Sequence, residues 1–280
     1  MSSAAPANRV AWLALPGVGY LLLAFALPLA ALLVSSFQGE EGWTLAGYTR
    51  FFGDSYNYTV LWNTLRSALW ITAICLLIGY PTAFVMSRAS GWVQGTLLLA
   101  LILPLSVGVV VKAFAWTILL RGNGIVNATL MQLGIISEPL RLLFTETGLT
   151  IGAVHVFLPF MVLPIFAVAR QIDPRLTDAA ASLGAGTLRR FTHVIWPLSL
   201  PGVVVGVAFV FSMTVSMYVV PSLLIGDRFK TLPVLIARSY LFMRDRQTGG
   251  TMAVVLLAIA IIVVVASALL ARRLQPEARI

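Results

Sequence analysis

Long runs of residues without a charged side chain constrain the fold of this 280-residue chain more than any other feature. A helix that crosses the hydrocarbon core of a bilayer needs about 20 predominantly apolar residues. Runs of about this length or longer occupy residues 12–37, 67–87, 89–111, 147–169, 203–226 and 247–271. The pattern predicts an all-α, polytopic membrane protein with about six transmembrane helices, forming a single domain over residues 1–280.

The first run is long enough to be a retained helix. A secretory signal has an apolar region of only about 7–15 residues, whereas residues 12–37 hold no charge throughout. Pro16 and Pro28 are expected to bend this helix.

Composition supports a membrane protein and excludes two other classes. Charged residues make up 10% of the chain and hydrophobic residues 59%, whereas a soluble domain carries about 25% charged residues. The net charge of +9 comes from arginines dispersed among short loops, so nucleic-acid binding is not expected. The single cysteine, Cys75, rules out an intrachain disulfide.

The loops between the runs alternate between the two sides of the membrane. Residues 38–60, 122–146 and 227–246 are predicted on one side, with the two termini and residues 173–202 on the other. The side with the termini holds nine lysines and arginines and the opposite side eight. The positive-inside rule therefore does not fix the orientation.

Residues 173–202 form the longest polar interruption with an internal pattern. Asp173 followed by Pro174 predicts a helix start, because the carboxylate caps free N–H groups and proline suits the first turn. Gly184 predicts the end of that helix. Thr187 then opens a second short helix, which Pro197 and Pro201 are predicted to end.

The same segment resembles the EAA loop of ABC importers that work with a substrate-binding protein. The matching residues are Asp178-Ala179-Ala180, Gly184-Ala185, Phe191, Val194, Pro197 and Pro201. This chain departs from the family pattern by carrying aspartate at position 178, where the family has glutamate. The resemblance implies a coupling helix that docks in a groove on a cytoplasmic ATPase subunit.

Weaker patches resemble the spermidine/putrescine-type branch of these permeases. They run from residue 63 to residue 164 and include Asn63-Thr64-Leu65, Gly79-Tyr80-Pro81, Leu103-Pro104 and Leu158-Pro159-Phe160. The resemblance implies the type I ABC importer (MetI-like) permease fold and a multi-pass location in the bacterial inner membrane with both termini cytoplasmic. It also implies partners: two ATPase subunits, a paralogous second permease and a soluble or lipid-anchored binding protein.

The resemblance implies a transporter and not an enzyme. No GxxxxGKS/T phosphate-binding loop occurs in the sequence, so ATP and Mg²⁺ are expected in the partner subunits and no catalytic residue, cofactor or metal in this chain. The best substrate prediction is a small, polyamine-like polar solute. Amino-acid-like and phosphonate compounds remain alternatives, because specificity in this class rests largely on the binding protein.

Polar residues inside the runs are candidates for the transport pathway. Lys112 fits a substrate contact, a gating or structural role, or an interfacial position reached by snorkelling. No Asp or Glu lies within the six runs, which weighs against direct binding of a polyamine there. The other candidates each have a structural alternative as helix ties, packing residues or interfacial anchors: Trp116, His155, Ser212, Ser216 and Tyr218.

Two other function classes fit the sequence less well. A membrane-embedded enzyme needs a nucleophile–base pair or metal ligands, and the chain has two histidines, His155 and His193, without an HExxH or GxSxG motif. A non-ABC six-helix transporter or channel would show inverted repeats or a selectivity filter, and neither is visible.

Overall fold

A computed structural model describes residues 7–39, 42–226 and 229–274 of the chain. Helices dominate these residues, and the chain divides into two compact units. One unit comprises Met1–Ser55 with Ile236–Val255, and the other comprises Tyr56–Leu235 with Leu256–Ile280. The two chain termini, residues 1–6 and 275–280, whose location was predicted from the sequence, lie outside the described residues.

The first unit begins with helix α1, Ala7–Phe37, followed by two short antiparallel strands and helix α2, Ala46–Gly53. The strands are β1, Gln38–Gly39, and β2, Gly42–Trp43. The Ser36 and Tyr48 hydroxyls lie 2.8 Å apart and tie α1 to α2. The prediction of a loop over residues 38–60 is therefore wrong in part, because the segment folds into short elements of its own.

Helix α3, Ser55–Arg88, begins twelve residues before the predicted run at Ser67. Its 34 residues span about 51 Å at 1.5 Å per residue, which is longer than a bilayer core. The absence of charge marks the part of a helix that lies in hydrocarbon, whereas the helix itself continues where the chain turns polar.

The third predicted run is not one straight helix. It divides into α4, Gly91–Ile102, a 3₁₀ turn, Leu103–Ser106, and α5, Val109–Leu119, with a bend of 98°. Pro104 stands at the start of the 3₁₀ turn and Gly108 caps α5. Proline cannot donate a backbone hydrogen bond, so the ladder breaks there.

Helix α6, Ile125–Gln132, lies within the predicted loop 122–146, and α7, Glu146–Ala169, confirms the run at 147–169. Glycines bring α7 close to a later helix, α10, Trp196–Val215. A Cβ atom at Gly202 would lie 2.8 Å from the Pro164 carbonyl oxygen. One at Gly206 would lie 3.1 Å from the Met161 carbonyl oxygen, so the backbone leaves no room for a side chain at Gly202 and little at Gly206.

The fifth predicted run, residues 203–226, is placed wrongly at both ends. Helix α10 begins at Trp196 and ends at Val215, and a separate helix α11, Val219–Leu224, follows. Ser216 leaves the helix at the break. The Ser216 hydroxyl donates to the backbone carbonyls of Ser212 and Met213, a local competition with the helix that hydropathy does not detect.

The last part of the chain is also more helical than predicted. Helix α12, Leu232–Arg238, and a π turn, Ser239–Met243, occupy the predicted loop 227–246, of which Asp227 and Arg228 lie outside the described residues. Helix α13, Arg246–Leu274, confirms the last run. The described residues hold five helices able to span a membrane, or up to six if the bent pair α4–α5 counts as one span.

Candidate functional site

The predicted start of the segment 173–202 is confirmed. Helix α8, Pro174–Ser182, carries proline in its first turn and Asp173 as its N-cap. Oδ1 of Asp173 accepts a hydrogen bond from the Arg175 backbone N–H at 2.9 Å. The cap satisfies one of the free donors that every helix start leaves, and it fixes the residue at which α8 begins.

The predicted glycine stop is also confirmed. Gly184 has φ of +82°, a left-handed conformation that glycine adopts at little cost. The Ala185 N–H bonds to the Ala180 carbonyl at 3.0 Å and the Gly184 N–H to the Ala181 carbonyl at 2.9 Å. These two bonds form a Schellman turn, which fixes the direction in which the chain leaves α8.

The surface of this segment is exposed and partly apolar. Helix α8 has no buried residue, and Asp178, Ala179 and Gly184 are exposed. Leu183 is 89% exposed and Leu188 77% exposed. Two large exposed leucines on one short segment give it an apolar surface that another protein could cover.

These leucines extend the site predicted from the sequence. Ala180 and Ala185 are partly buried beside them and leave room for another surface to approach. Leu183 directly precedes the predicted stop at Gly184, and Leu188 follows the predicted second start at Thr187. Their exposure depends on the direction of the turn at Gly184, so the sequence pattern alone did not single them out.

The second predicted helix does not end at Pro197, and this part of the prediction is wrong. Helix α9, Thr187–Arg190, continues through a π turn, Phe191–Ile195, directly into α10. Pro197 lies in the first turn of α10 and Pro201 lies inside it. The register of backbone bonds already shifts at a π turn, so the missing N–H of Pro197 falls where the ladder changes and does not terminate the helix.

Phe191 attaches the segment to helix α3. Its ring centroid lies 5.9 Å from that of Tyr80 and 6.5 Å from that of Phe84. Both pairs are edge-to-face, the arrangement that aromatic quadrupoles favour. Tyr80 is fixed in turn by Ser199 of α10, with 3.0 Å between the two hydroxyl oxygens. The exposed α8 is therefore followed by a firmly packed aromatic cluster.

Three of the predicted pathway residues line one cavity of about 360 Å³: Lys112, Ser216 and Tyr218. Its walls come from the 3₁₀ turn after α4, from α5 and α7, and from the break between α10 and α11. Among the described residues that line it, Lys112 is the one charged side chain. Ser216 donates its hydroxyl hydrogen to the Ser212 carbonyl at 2.9 Å, so its oxygen remains able to accept.

The other three candidates do not line that cavity. The Trp116 indole N–H donates to Nδ1 of His155 at 3.1 Å, and the two rings meet edge to face. This bond joins α5 to α7, as the helix-tie alternative for His155 requires. The Ser212 hydroxyl oxygen is buried with no hydrogen-bond partner among the described residues.

No group of three or more His, Cys, Asp or Glu side chains within the described parts of the chain could hold a metal ion. The candidate site consists of an exposed, partly apolar surface on α8 and a cavity lined by one lysine.

Known proteins are similar to this chain over most of its length. Residues 2–279 match the family described as binding-protein-dependent transport system inner membrane component. The chain is 36% identical over 238 residues to the spermidine/putrescine transport system permease protein PotB of Haemophilus influenzae, covering 84% of this chain and 83% of the relative. It is 32% identical over 246 residues to PotB of Escherichia coli K12, covering 85% and 89%.

A solved structure has the same fold. The crystal structure of a bacterial ABC transporter involved in the import of the acidic polysaccharide alginate aligns with a TM-score of 0.73 at 15% identity. The alignment covers 96% of each chain. The predicted all-α fold of type I ABC importer permeases is thus confirmed.

Proposed function

The chain belongs to the family of binding-protein-dependent inner membrane transport components, and from that premise we propose that residues 173–202 couple this permease subunit to an ATPase. The observation that carries the proposal is that α8 is capped at both ends and yet leaves Leu176 and Leu183 exposed. A groove on an ATPase subunit would receive Leu183 and the small residues beside it.

ATP-driven closure of two ATPase subunits would then move the coupling segment and open the pathway by alternating access. ATP and Mg²⁺ would be bound and used in those subunits, and this chain would bind no cofactor. A pathway between two such permeases needs a second coupling segment, so we infer a heterodimer with a paralogous permease.

This arrangement sets the orientation. The coupling segment and both termini would lie in the cytoplasm. The loops predicted at residues 38–60, 122–146 and 227–246 would receive a soluble or lipid-anchored substrate-binding protein. Together these parts describe an importer of a small polar solute.

A polyamine-like solute is the best-supported substrate, because the two relatives at 36% and 32% identity are named as spermidine/putrescine permeases. Lys112 would repel such a cation, so direct contacts to its amino groups would come from the paralogous subunit. The lone cation in the cavity also favours a second candidate, a solute with an anionic group such as an amino-acid-like or phosphonate compound.

The coupling proposal is tested by Gly184→Trp in the reconstituted complex with its binding protein. We expect loss of substrate-stimulated ATP hydrolysis and of uptake, with normal membrane insertion, because no atom lies within 4 Å of a Cβ at this position and the bulk projects into the docking surface.

Gly134→Trp is the matched control. Gly134 has φ of +68° and equally open surroundings at the end of α6, so the backbone strain is similar. We expect this variant to keep the ATPase subunit bound on purification. If Gly184→Trp keeps full stimulation, residues 173–202 do not transmit the motion.

The substrate is tested separately by uptake of labelled spermidine, with and without Lys112→Gln. If the substrate is a polyamine, removal of the Lys112 charge leaves the KM for spermidine unchanged or lowers it. For an anionic solute, the same change raises KM by about tenfold or more, since a charge-assisted hydrogen bond is lost. Absence of spermidine uptake by an active complex would exclude the polyamine assignment.

A further inference from the structure

A surface groove of about 380 Å³ lies where α3 and α7 begin their apolar parts. Arg66 and Glu146 meet in it, one from each helix. Glu146 is the first residue of α7. Residues 173–202 come shortly after Ala169, the last residue of the same helix. The groove is thus separated from the coupling segment by the full 24 residues of α7, about 36 Å.

The ion pair in the groove leaves most of its hydrogen-bonding capacity unused. Nη2 of Arg66 donates to Oε1 of Glu146, and within the described residues neither side chain makes a second hydrogen bond. A guanidinium has five N–H donors and a carboxylate about four acceptor positions. The two side chains are 47% and 49% exposed, so a ligand can reach both.

Aromatic side chains place this pair at the level of lipid headgroups. Trp62, Arg66 and Trp70 are spaced four residues apart and share one face of α3. The two indoles are 64% and 62% exposed, and tryptophan exposed on a spanning helix is typical of the membrane–water interface. The charge-free run begins at Ser67, directly after the arginine. One side of the groove is therefore polar and the other continues into the apolar surface of α3.

We propose that this groove binds one aminophospholipid of the phosphatidylethanolamine type. The phosphate would accept hydrogen bonds from Arg66, and the ammonium group, two carbons away, would donate to Glu146. An acyl chain would lie along Trp70 and Leu69, both exposed on the apolar side. The fixed cation and the fixed anion thus match the opposite charges of a zwitterionic headgroup.

The same geometry disfavours two other common headgroups. Phosphatidylglycerol carries a net negative charge and no cation, so it would leave Glu146 facing a second anion. Phosphatidylcholine carries a quaternary ammonium, which has no N–H group to donate. The proposal concerns a lipid site and does not depend on the substrate or the direction of transport.

The test is native mass spectrometry of the full-length chain released from detergent. Phosphatidylethanolamine, phosphatidylcholine or phosphatidylglycerol with identical acyl chains is added at equal concentration. We expect the complex with one bound phosphatidylethanolamine to be about fivefold or more abundant than the complex with either other lipid. Only phosphatidylethanolamine can make charge-assisted hydrogen bonds through both its phosphate and its ammonium group.

Arg66→Gln and Glu146→Gln should each remove this preference. Arg88→Gln, which removes an arginine from the other end of α3, should keep it. If a variant does not accumulate in the membrane, the comparison of the three lipids on the unmodified chain still decides the matter.

Three results would overturn the proposal. Equal retention of the three lipids, or an unchanged preference in both Gln variants, would show that the ion pair does not select the headgroup. Displacement of the bound lipid when the second permease subunit is added would show that the groove is a protein interface.

Discussion

Helices α6 and α8 end in the same turn but are held in different ways. Each closes on a Leu–Gly pair, Leu133–Gly134 and Leu183–Gly184, with the glycine left-handed and the leucine exposed. The backbone bonds also agree, since Ile135 bonds to the Leu130 carbonyl and Ala185 to the Ala180 carbonyl, both at 3.0 Å.

The difference lies in what each helix attaches to. Helix α6 contains the fully buried Asn127, whose amide binds the carbonyls of Arg121 and Leu140 and the N–H of Leu140. Helix α8 has no buried residue. The pair shows that a well-formed helix cap says little about function. The lack of any buried residue in α8, and not its cap, is the observation behind the proposed partner protein.

Leu183→Asp is expected to produce the largest difference between the two helices. The new carboxylate would be buried without a partner in the docked complex, which costs several kcal/mol. The affinity for the ATPase subunit, measured by its retention on purification, should therefore fall about a hundredfold or more, which corresponds to roughly 2.7 kcal/mol of binding free energy. Leu133→Asp, at the corresponding position of α6, should leave that retention unchanged. Similar losses in both variants would mean that α8 has no special role in docking.

Asn127→Ala tests the attachment of α6. The change removes the three hydrogen bonds of the buried Asn127 amide, at a cost of about 2 kcal/mol. Amide hydrogen exchange over residues 125–142 should become faster, approaching the rate over α8. Asn123→Ala, at an exposed position just before α6, serves as the control. Unchanged exchange would show that other contacts hold this helix.

Phe191→Ala separates docking from transmission. Its edge-to-face contacts to α3 are worth about 1.5 kcal/mol, so the maximal rate of uptake should fall about tenfold while the ATPase subunit stays bound. Phe114→Ala, which truncates an exposed ring on α5, should have little effect. A loss of ATPase binding would show that Phe191 supports the shape of α8 and does not transmit its movement.

Asp173→Ala should have the smallest effect. Loss of the N-cap costs about 1 kcal/mol, which is seen as faster amide exchange in the first turn of α8 in the isolated subunit. Asp173→Asn keeps a capping oxygen and should restore slow exchange. If both variants exchange alike, the cap does not limit the stability of α8.

Local signals in the sequence predicted the start and the first stop within residues 173–202. The Asp173 cap and the Gly184 stop depend on residues within a few positions, where backbone chemistry decides the outcome. The same holds for residues 147–169 and 247–271, whose runs are uninterrupted. Pro197 was misread because the π turn before it depends on the aromatic packing of Phe191 against α3, which involves residues about 110 positions apart in the chain.

The cavity was only partly predictable. Lys112 and Tyr218 stood out as polar residues inside apolar runs, but their meeting depends on the 98° bend before α5 and on the break after Val215. Hydropathy gives the length of an apolar run and not its direction. The hydrogen bond between Trp116 and His155 likewise requires that α5 pack on α7.

Helix α10 joins the coupling segment to the cavity without interruption. It begins next to the π turn that carries Phe191, and Ser216, at its far end, lines the cavity. Its 20 residues make a rod of about 30 Å. Pivoted near Trp196, such a lever tilted by about 5° would shift its tip by about 3 Å, roughly the diameter of a water molecule. A small rocking at the start of α10 is thus enough to change the width of the cavity by about one water molecule.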